Sequence, residues 1–176
     1  DTAALVVRLA QLYPRDPALL LVPFLDHQRL EPGEAISVRA GMPHAYLSGM
    51  ALEVMPLGDN VVRGGLTSKH VDGVGFVDVL DPMAPQVVVQ RPEQTVHTYE
   101  GPTDGIAVRR LVDTELSTAL IDGRHHLVVC VAGSTTIRTS VEVVLNPGEA
   151  LEIPPGGGHP AIAVTGEAYL VTGASR

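Results

Sequence analysis

The sequence predicts a mainly β protein of sandwich-like units, with one N-terminal helix and a second short helix near residues 71–80. Three observations lead there. Short runs rich in Val, Ile and Leu, bounded by Gly and Pro, recur over most of the chain after residue 18, which is the pattern of strands joined by turns. Helical periodicity is clear only in the opening residues. The composition, 45% hydrophobic with 3% aromatic residues and no Trp, calls for a core of aliphatic side chains.

The first helix rests on Leu5, Leu9, Leu12 and Tyr13, which fall at i, i+4, i+7 and i+8, with Thr2 as a capping residue and Pro14 as the stop. After it, strands are expected at LLLVPFL (19–25), AISVRA (35–40), ALEVM (51–55), QVVVQ (86–90), IAVRRLV (106–112), HLVVCVA (126–132) and TTIRTS (135–140). Four more are expected at VEVVL (141–145), ALEIP (150–154), AIAVT (161–165) and AYLVTG (168–173). The segment Val71–Leu80 reads as the short helix, although Gly73 and Gly75 lower its propensity.

An internal echo accompanies the strands. LEPGEA (Leu30–Ala35) returns as LNPGEA (Leu145–Ala150), and His44 follows the first copy at the same distance as His159 follows the second. A Pro-Gly turn leading into an alternating strand is ordinary hairpin chemistry, but the shared spacing is better read as a duplicated β-sandwich unit. The junction falls in DPMAP, residues 81–85.

Charge and composition exclude several classes of partner. The formal charge is −8 with Lys and Arg scattered, so no basic patch offers itself to nucleic acid or to an anionic membrane. The longest apolar run, ALLLVPFL (18–25), is far below the roughly 20 residues that span a bilayer. The single cysteine, Cys130, lies inside HLVVCVAG and is expected to be a buried, inert thiol, as suits a reducing cytoplasm. Asp1 stands where an initiator Met would, without the basic region or cleavage site of a secretory signal; a trimmed end is expected.

The residues able to carry chemistry cluster after PHAYLSG (43–49): His44, Tyr46, Glu53, Asp59, Arg63 and Lys69. From Leu57 the apolar alternation gives way to GDNVVRGGLTSK, a glycine-rich loop carrying both charges, and loops on a rigid scaffold are where function concentrates. Arg63 beside two glycines can bring a guanidinium fork to a phosphate or carboxylate. Each residue also has a plain reading: a lone strand histidine is commonly a hydrogen-bonded structural group, Glu53 can simply alternate outward, and loop Arg and Lys are commonly solvated charges. No H-x-H, H-E-x-x-H or Cys pair is present, and His125 and His126 point to opposite faces of a strand. His159, in PPGGGHP, reads as a turn residue. Cys130 has no visible base, and neither G-x-S-x-G nor G-x-G-x-x-G occurs.

The continuous stretch Leu30–Asp72, with PGEA, PHAYLSG, LEVM, DNVVRGGLT and the following lysine in order and spacing, resembles the C-terminal part of the type I phosphomannose isomerases. From Gln86 onward the resemblance is weaker. It implies cupin-like jelly-roll units: residues 1–80 as the C-terminal portion of the catalytic cupin with its preceding helix, and residues 86–176 as a C-terminal cupin-like sandwich serving as structural cover. It also implies an aldose–ketose isomerase that takes a hexose 6-phosphate and one Zn²⁺ ion. In that reading His44 is a zinc ligand, Arg63 the active-site arginine, Asp59 a further catalytic group, and Tyr46, Glu53 and Lys69 line the substrate pocket.

One departure is serious. The family completes its zinc site with a Gln-x-His pair and a glutamate from an N-terminal half, and this chain has no Gln-x-His. The remaining ligands are therefore expected outside the chain, which should be silent alone and should seek its missing half or a dimer partner. The rival reading is a non-catalytic cupin-like module that binds a sugar or a protein. A cupin-type metal dioxygenase would need an H-x-H strand and does not find one.

Overall fold

Alternation of buried and exposed side chains along three long strands organises the C-terminal part of the protein. The computed structural model describes residues 1–56, 58, 61–101, 105–117, 124–156 and 160–173. They divide into two compact units: one of residues 1–29 and 38–86, the other of residues 30–37 and 87–176.

The first unit opens with helix α1 (Thr2–Leu12). Asp1, rather than Thr2, caps it: the Asp1 Oδ1 accepts from the Ala3 N–H at 2.9 Å, satisfying one of the orphan donors of the first turn. The helix ends as expected at Tyr13, whose N–H donates to the Leu9 carbonyl at 2.8 Å. LLLVPFL is not a strand. It forms two 3₁₀ turns, Pro17–Leu20 and Val22–Phe24, because Asp16 caps the first and Pro17 and Pro23 supply the fixed φ that suits a helical start while removing ladder donors. ALEVM is not a strand either: residues 51–55 have no regular structure. A strand exists only through its ladder, and among the described residues of this unit none forms. The predicted second helix is present as α2 (Gly73–Val79), capped by the Asp72 Oδ1, which accepts from the Gly75 N–H at 2.9 Å.

The second unit is an antiparallel β structure. Its strands are β1 (Ala35–Ile36), β2 (Val89–Gln90), β3 (Val96–Tyr99), β4 (Ala107–Ser117), β5 (His126–Arg138), β6 (Glu142–Leu145), β7 (Ala150–Ile153) and β8 (Ala161–Thr172). Strands β3-β4-β8-β5-β6 form one sheet in that order, with β7 pairing the other end of the β5 edge, and β1 pairs β2. Two pairs of expected strands are each one continuous strand. HLVVCVA and TTIRTS run together in β5, and AIAVT and AYLVTG in β8, because Gly133 and Gly166 carry the chain through the sheet rather than ending it. A Cβ on Gly133 would sit 1.9 Å from the Thr165 carbonyl oxygen, so only glycine permits this approach. The core is aliphatic as predicted: Leu111, Val128, Ile137, Ile162 and Leu170 are fully or almost fully buried, with Cys130 among them as a free thiol.

The internal echo is a repeated turn. In EPGE the Glu34 N–H donates to the Glu31 carbonyl and the Glu34 carboxylate accepts from the Glu31 N–H, both at 2.9 Å. In NPGE the Glu149 N–H donates to the Asn146 carbonyl at 3.0 Å and the Glu149 carboxylate accepts from the Asn146 N–H at 2.8 Å. Gly33 and Gly148 take φ of 85° and 89°, the left-handed position such a Pro-Gly turn needs. Both turns belong to the second unit, and what recurs there is the turn with its returning glutamate.

Candidate active site

His44 follows Pro43 in an irregular segment and is exposed. Its Nδ1 lies 3.0 Å from the Met42 carbonyl oxygen. A carbonyl only accepts, so this hydrogen bond requires the proton on Nδ1 and leaves the lone pair of the neutral ring on Nε2. That is the state in which a histidine binds a metal through Nε2, with its second nitrogen held by backbone. The Tyr46 ring meets the imidazole edge-on at 6.1 Å between centroids. Burial, then a hydrogen bond to Glu53 and the charge of Glu53, raises the Tyr46 hydroxyl above the ordinary tyrosine range. The structure thus brings His44, Tyr46 and Glu53 together.

Arg63 and Lys69 stand on the loop that leads into α2. The Arg63 carbonyl accepts from the Asp72 N–H at 3.0 Å, and the Lys69 N–H donates to the Thr67 hydroxyl at 3.1 Å. Gly64 has no room for a side chain, since a Cβ there would lie 2.6 Å from the Phe76 ring. Asp59 and His159 lie outside the described residues. Among the described residues no group of three or more His, Cys, Asp or Glu side chains is placed to hold a metal ion. The donors here do not by themselves fit a zinc centre, which needs three or four ligands. No helix among the described residues is long and apolar enough to cross a membrane.

Two features escaped sequence reading. Asp16 reaches across 50 residues of chain to the Leu66 N–H at 2.7 Å; its only local signal is the Asp-Pro pair that opens the first 3₁₀ turn. In the second unit, the Arg110 Nε donates to Glu167 at 2.8 Å, the Tyr169 hydroxyl donates to the same oxygen at 2.8 Å, and the Tyr99 hydroxyl donates to the Gly33 carbonyl. Burial and the Glu167 contact push the Tyr169 hydroxyl strongly upward. Nothing local in the sequence marks these residues as neighbours.

The fold and this site define a class: a mainly β protein of cupin-like fold, carrying a histidine–tyrosine–glutamate cluster and an arginine loop. No protein-family model matches the chain. Mannose-6-phosphate isomerase of Escherichia coli (strain K12) is 34% identical over 147 residues, covering 81% of this chain and 38% of that protein. Mannose-6-phosphate isomerase 1 of Arabidopsis thaliana is 49% identical over 72 residues, covering 41% of this chain and 17% of that protein. A crystal structure of a point mutant of phosphomannose isomerase from Salmonella typhimurium superposes with a TM-score of 0.81 at 29% identity, covering 97% of this chain and 46% of that one. A second structure of the Salmonella enzyme, described as bound to substrate and zinc, matches at 24% identity with a TM-score of 0.52 over 66% of this chain and 31% of that one, and supports the fold alone. The chain is homologous to part of the mannose-6-phosphate isomerases it matches. It spans less than half the length of the curated relatives it matches.

Proposed function

We propose that this chain is the portion of a mannose-6-phosphate isomerase that supplies its arginine loop and one zinc ligand. The 147-residue match to the Escherichia coli isomerase carries the reading. The free Nε2 of His44 supports His44 as that ligand, the other ligands lying outside this chain. Residues 1–80 hold the catalytic portion and residues 86–176 the structural cover, in a cytoplasmic enzyme.

Interconversion of mannose 6-phosphate and fructose 6-phosphate moves a proton between C1 and C2 through an enediol, which demands a base and a group that stabilises the developing oxyanion. The Arg63 guanidinium suits the second task, and Lys69 adds a positive charge for the phosphate end. Tyr46 and Glu53 are near neighbours able to hold sugar hydroxyls, and Asp59 is the further catalytic candidate. The first unit also leaves Phe24, Met50 and Val74 at 86%, 99% and 75% exposure, as suits a surface covered by the N-terminal half of the enzyme or by a dimer partner. The absence of a complete metal group among the described residues favours a second reading for the isolated chain, a non-catalytic cupin-like module that binds a sugar or a protein.

A coupled assay separates the two. The chain with added zinc is expected to show no turnover, while the full-length isomerase turns over and loses most of its kcat on Arg63→Ala at unchanged zinc content. Turnover by the isolated chain, or an unaltered kcat in the variant, refutes the assignment.

A further inference from the structure

The loop that carries Arg63 is held from two directions. At its start, the Arg63 carbonyl accepts from the Asp72 N–H at 3.0 Å, and Asp72 is itself the cap of α2. At its end, the Asp16 carboxylate divides its two oxygens: Oδ1 accepts from the Ala18 N–H at 2.9 Å and Oδ2 from the Leu66 N–H at 2.7 Å. The chain between them cannot drift. A Cβ on Gly64 would collide with the Phe76 ring, and one on Gly65 would lie 2.5 Å from the Asp16 Oδ1 and 2.6 Å from the Ala18 Cβ.

Backbone strain gathers at this contact. Leu66, whose N–H Asp16 holds, has φ of 52°, and Arg15, the residue before Asp16, has φ of 65°. A left-handed conformation is strained for a non-glycine residue, and such residues persist where surrounding contacts over-determine them, typically beside functional groups. A surface loop with no task would relax. Here both strained residues flank one carboxylate, and three residues before Leu66 stands the arginine.

We propose that Asp16 is the positioning residue for Arg63. By holding Leu66 in its left-handed conformation, it fixes the backbone from which the guanidinium projects and lets Arg63 meet the reacting oxygens without reorganising. The inference rests on the assignment of Arg63 made above. Misplacing a catalytic group by about 1 Å can cost 100-fold in rate, and this sets the scale of the expected effect.

The experiment is a double-mutant cycle in the full-length isomerase that carries this sequence, measured with mannose 6-phosphate. Asp16→Ala is expected to lower kcat by about 10- to 100-fold with KM changed only a few-fold. In an Arg63→Ala background it should lower kcat no further. Asp16→Asn, isosteric and therefore safe for folding, keeps one acceptor oxygen and should fall between wild type and Asp16→Ala. Adding Leu66→Gly to Asp16→Ala should restore part of the loss, because glycine takes this φ at no cost. Amide exchange at Leu66 should quicken in Asp16→Ala. If Asp16→Ala and Asp16→Asn leave kcat intact while Arg63→Ala lowers it, or if the Asp16 losses are equal in both backgrounds, the positioning role is overturned and the Arg63 assignment stands. If Arg63→Ala leaves kcat intact, both are overturned.

Discussion

The Arg110 Nε lies 2.8 Å from the Glu167 Oε1 across the β4–β8 pairing, with both side chains less than one-fifth exposed. Burial alone would raise the Glu167 carboxyl, but the hydrogen bonds from Arg110 and Tyr169 outweigh it and hold the carboxyl below the ordinary glutamate range. A lowered folded-state pKa means stabilisation that is present above the unfolded-state value, near 4.3, and is lost as pH falls through the folded-state value. Glu167→Gln should therefore cost about 1–2 kcal/mol at neutral pH. The difference from wild type should shrink toward zero in acid. Urea titrations between neutral pH and about pH 3 test this; a constant difference across the range would contradict it.

The two Pro-Gly turns allow a controlled comparison. Gly33→Ala and Gly148→Ala place the same methyl group at the same backbone conformation, φ of 85° and 89°. At Gly148 the methyl meets nothing within 4 Å, whereas at Gly33 it lies 2.8 Å from the Arg110 Nε, which is tied to Glu167. Gly148→Ala should cost only the backbone term, roughly 1–2 kcal/mol. Gly33→Ala should cost clearly more, and thermal melts that rank the two equal would show that Arg110 yields freely.

Thr135 offers a stabilising change. Its side chain is fully buried in the core beside Val164 and Leu145, and among the described residues its Oγ1 has no hydrogen-bond partner. An unsatisfied buried hydroxyl costs about 1–3 kcal/mol. Thr135→Val, nearly isosteric, should raise the melting temperature, and a fall would reveal a partner for the hydroxyl.

His44 provides the metal prediction. If its Nε2 is one corner of the zinc site, His44→Ala in the full-length isomerase should reduce zinc retained after dialysis at least tenfold, while Arg63→Ala leaves it unchanged. Equal zinc content in wild type and His44→Ala would remove His44 from the ligand set.

Much of the fold was legible because it depends on local chemistry. The α1 periodicity, the Pro-Gly turns and the short helix near residues 71–80 follow from neighbours within a few residues, and the alternating aliphatic runs of the C-terminal part met the ladder partners that make them strands. The failures share a cause. LLLVPFL and ALEVM carry strand composition, but composition cannot supply a ladder partner, and in LLLVPFL the local Asp-Pro cap decided for 3₁₀ turns instead. HLVVCVA and TTIRTS, like AIAVT and AYLVTG, read as separate strands because the role of Gly133 and Gly166 is set by each other across the β5–β8 pairing.

The candidate site divides in the same way. PHAYLSG, LEVM, DNVVRGGLT and the lysine that follows, by their residue types and order, marked His44, Tyr46, Glu53, Asp59, Arg63 and Lys69 as the candidates and showed which family they resemble. Only tertiary structure set Tyr46 beside Glu53 and brought Asp16 to the Leu66 N–H across 50 residues. Residue type and order decide what chemistry is available; the distance between hydrogen-bonding groups far apart in the chain, set by how the backbone packs, decides which of it is poised.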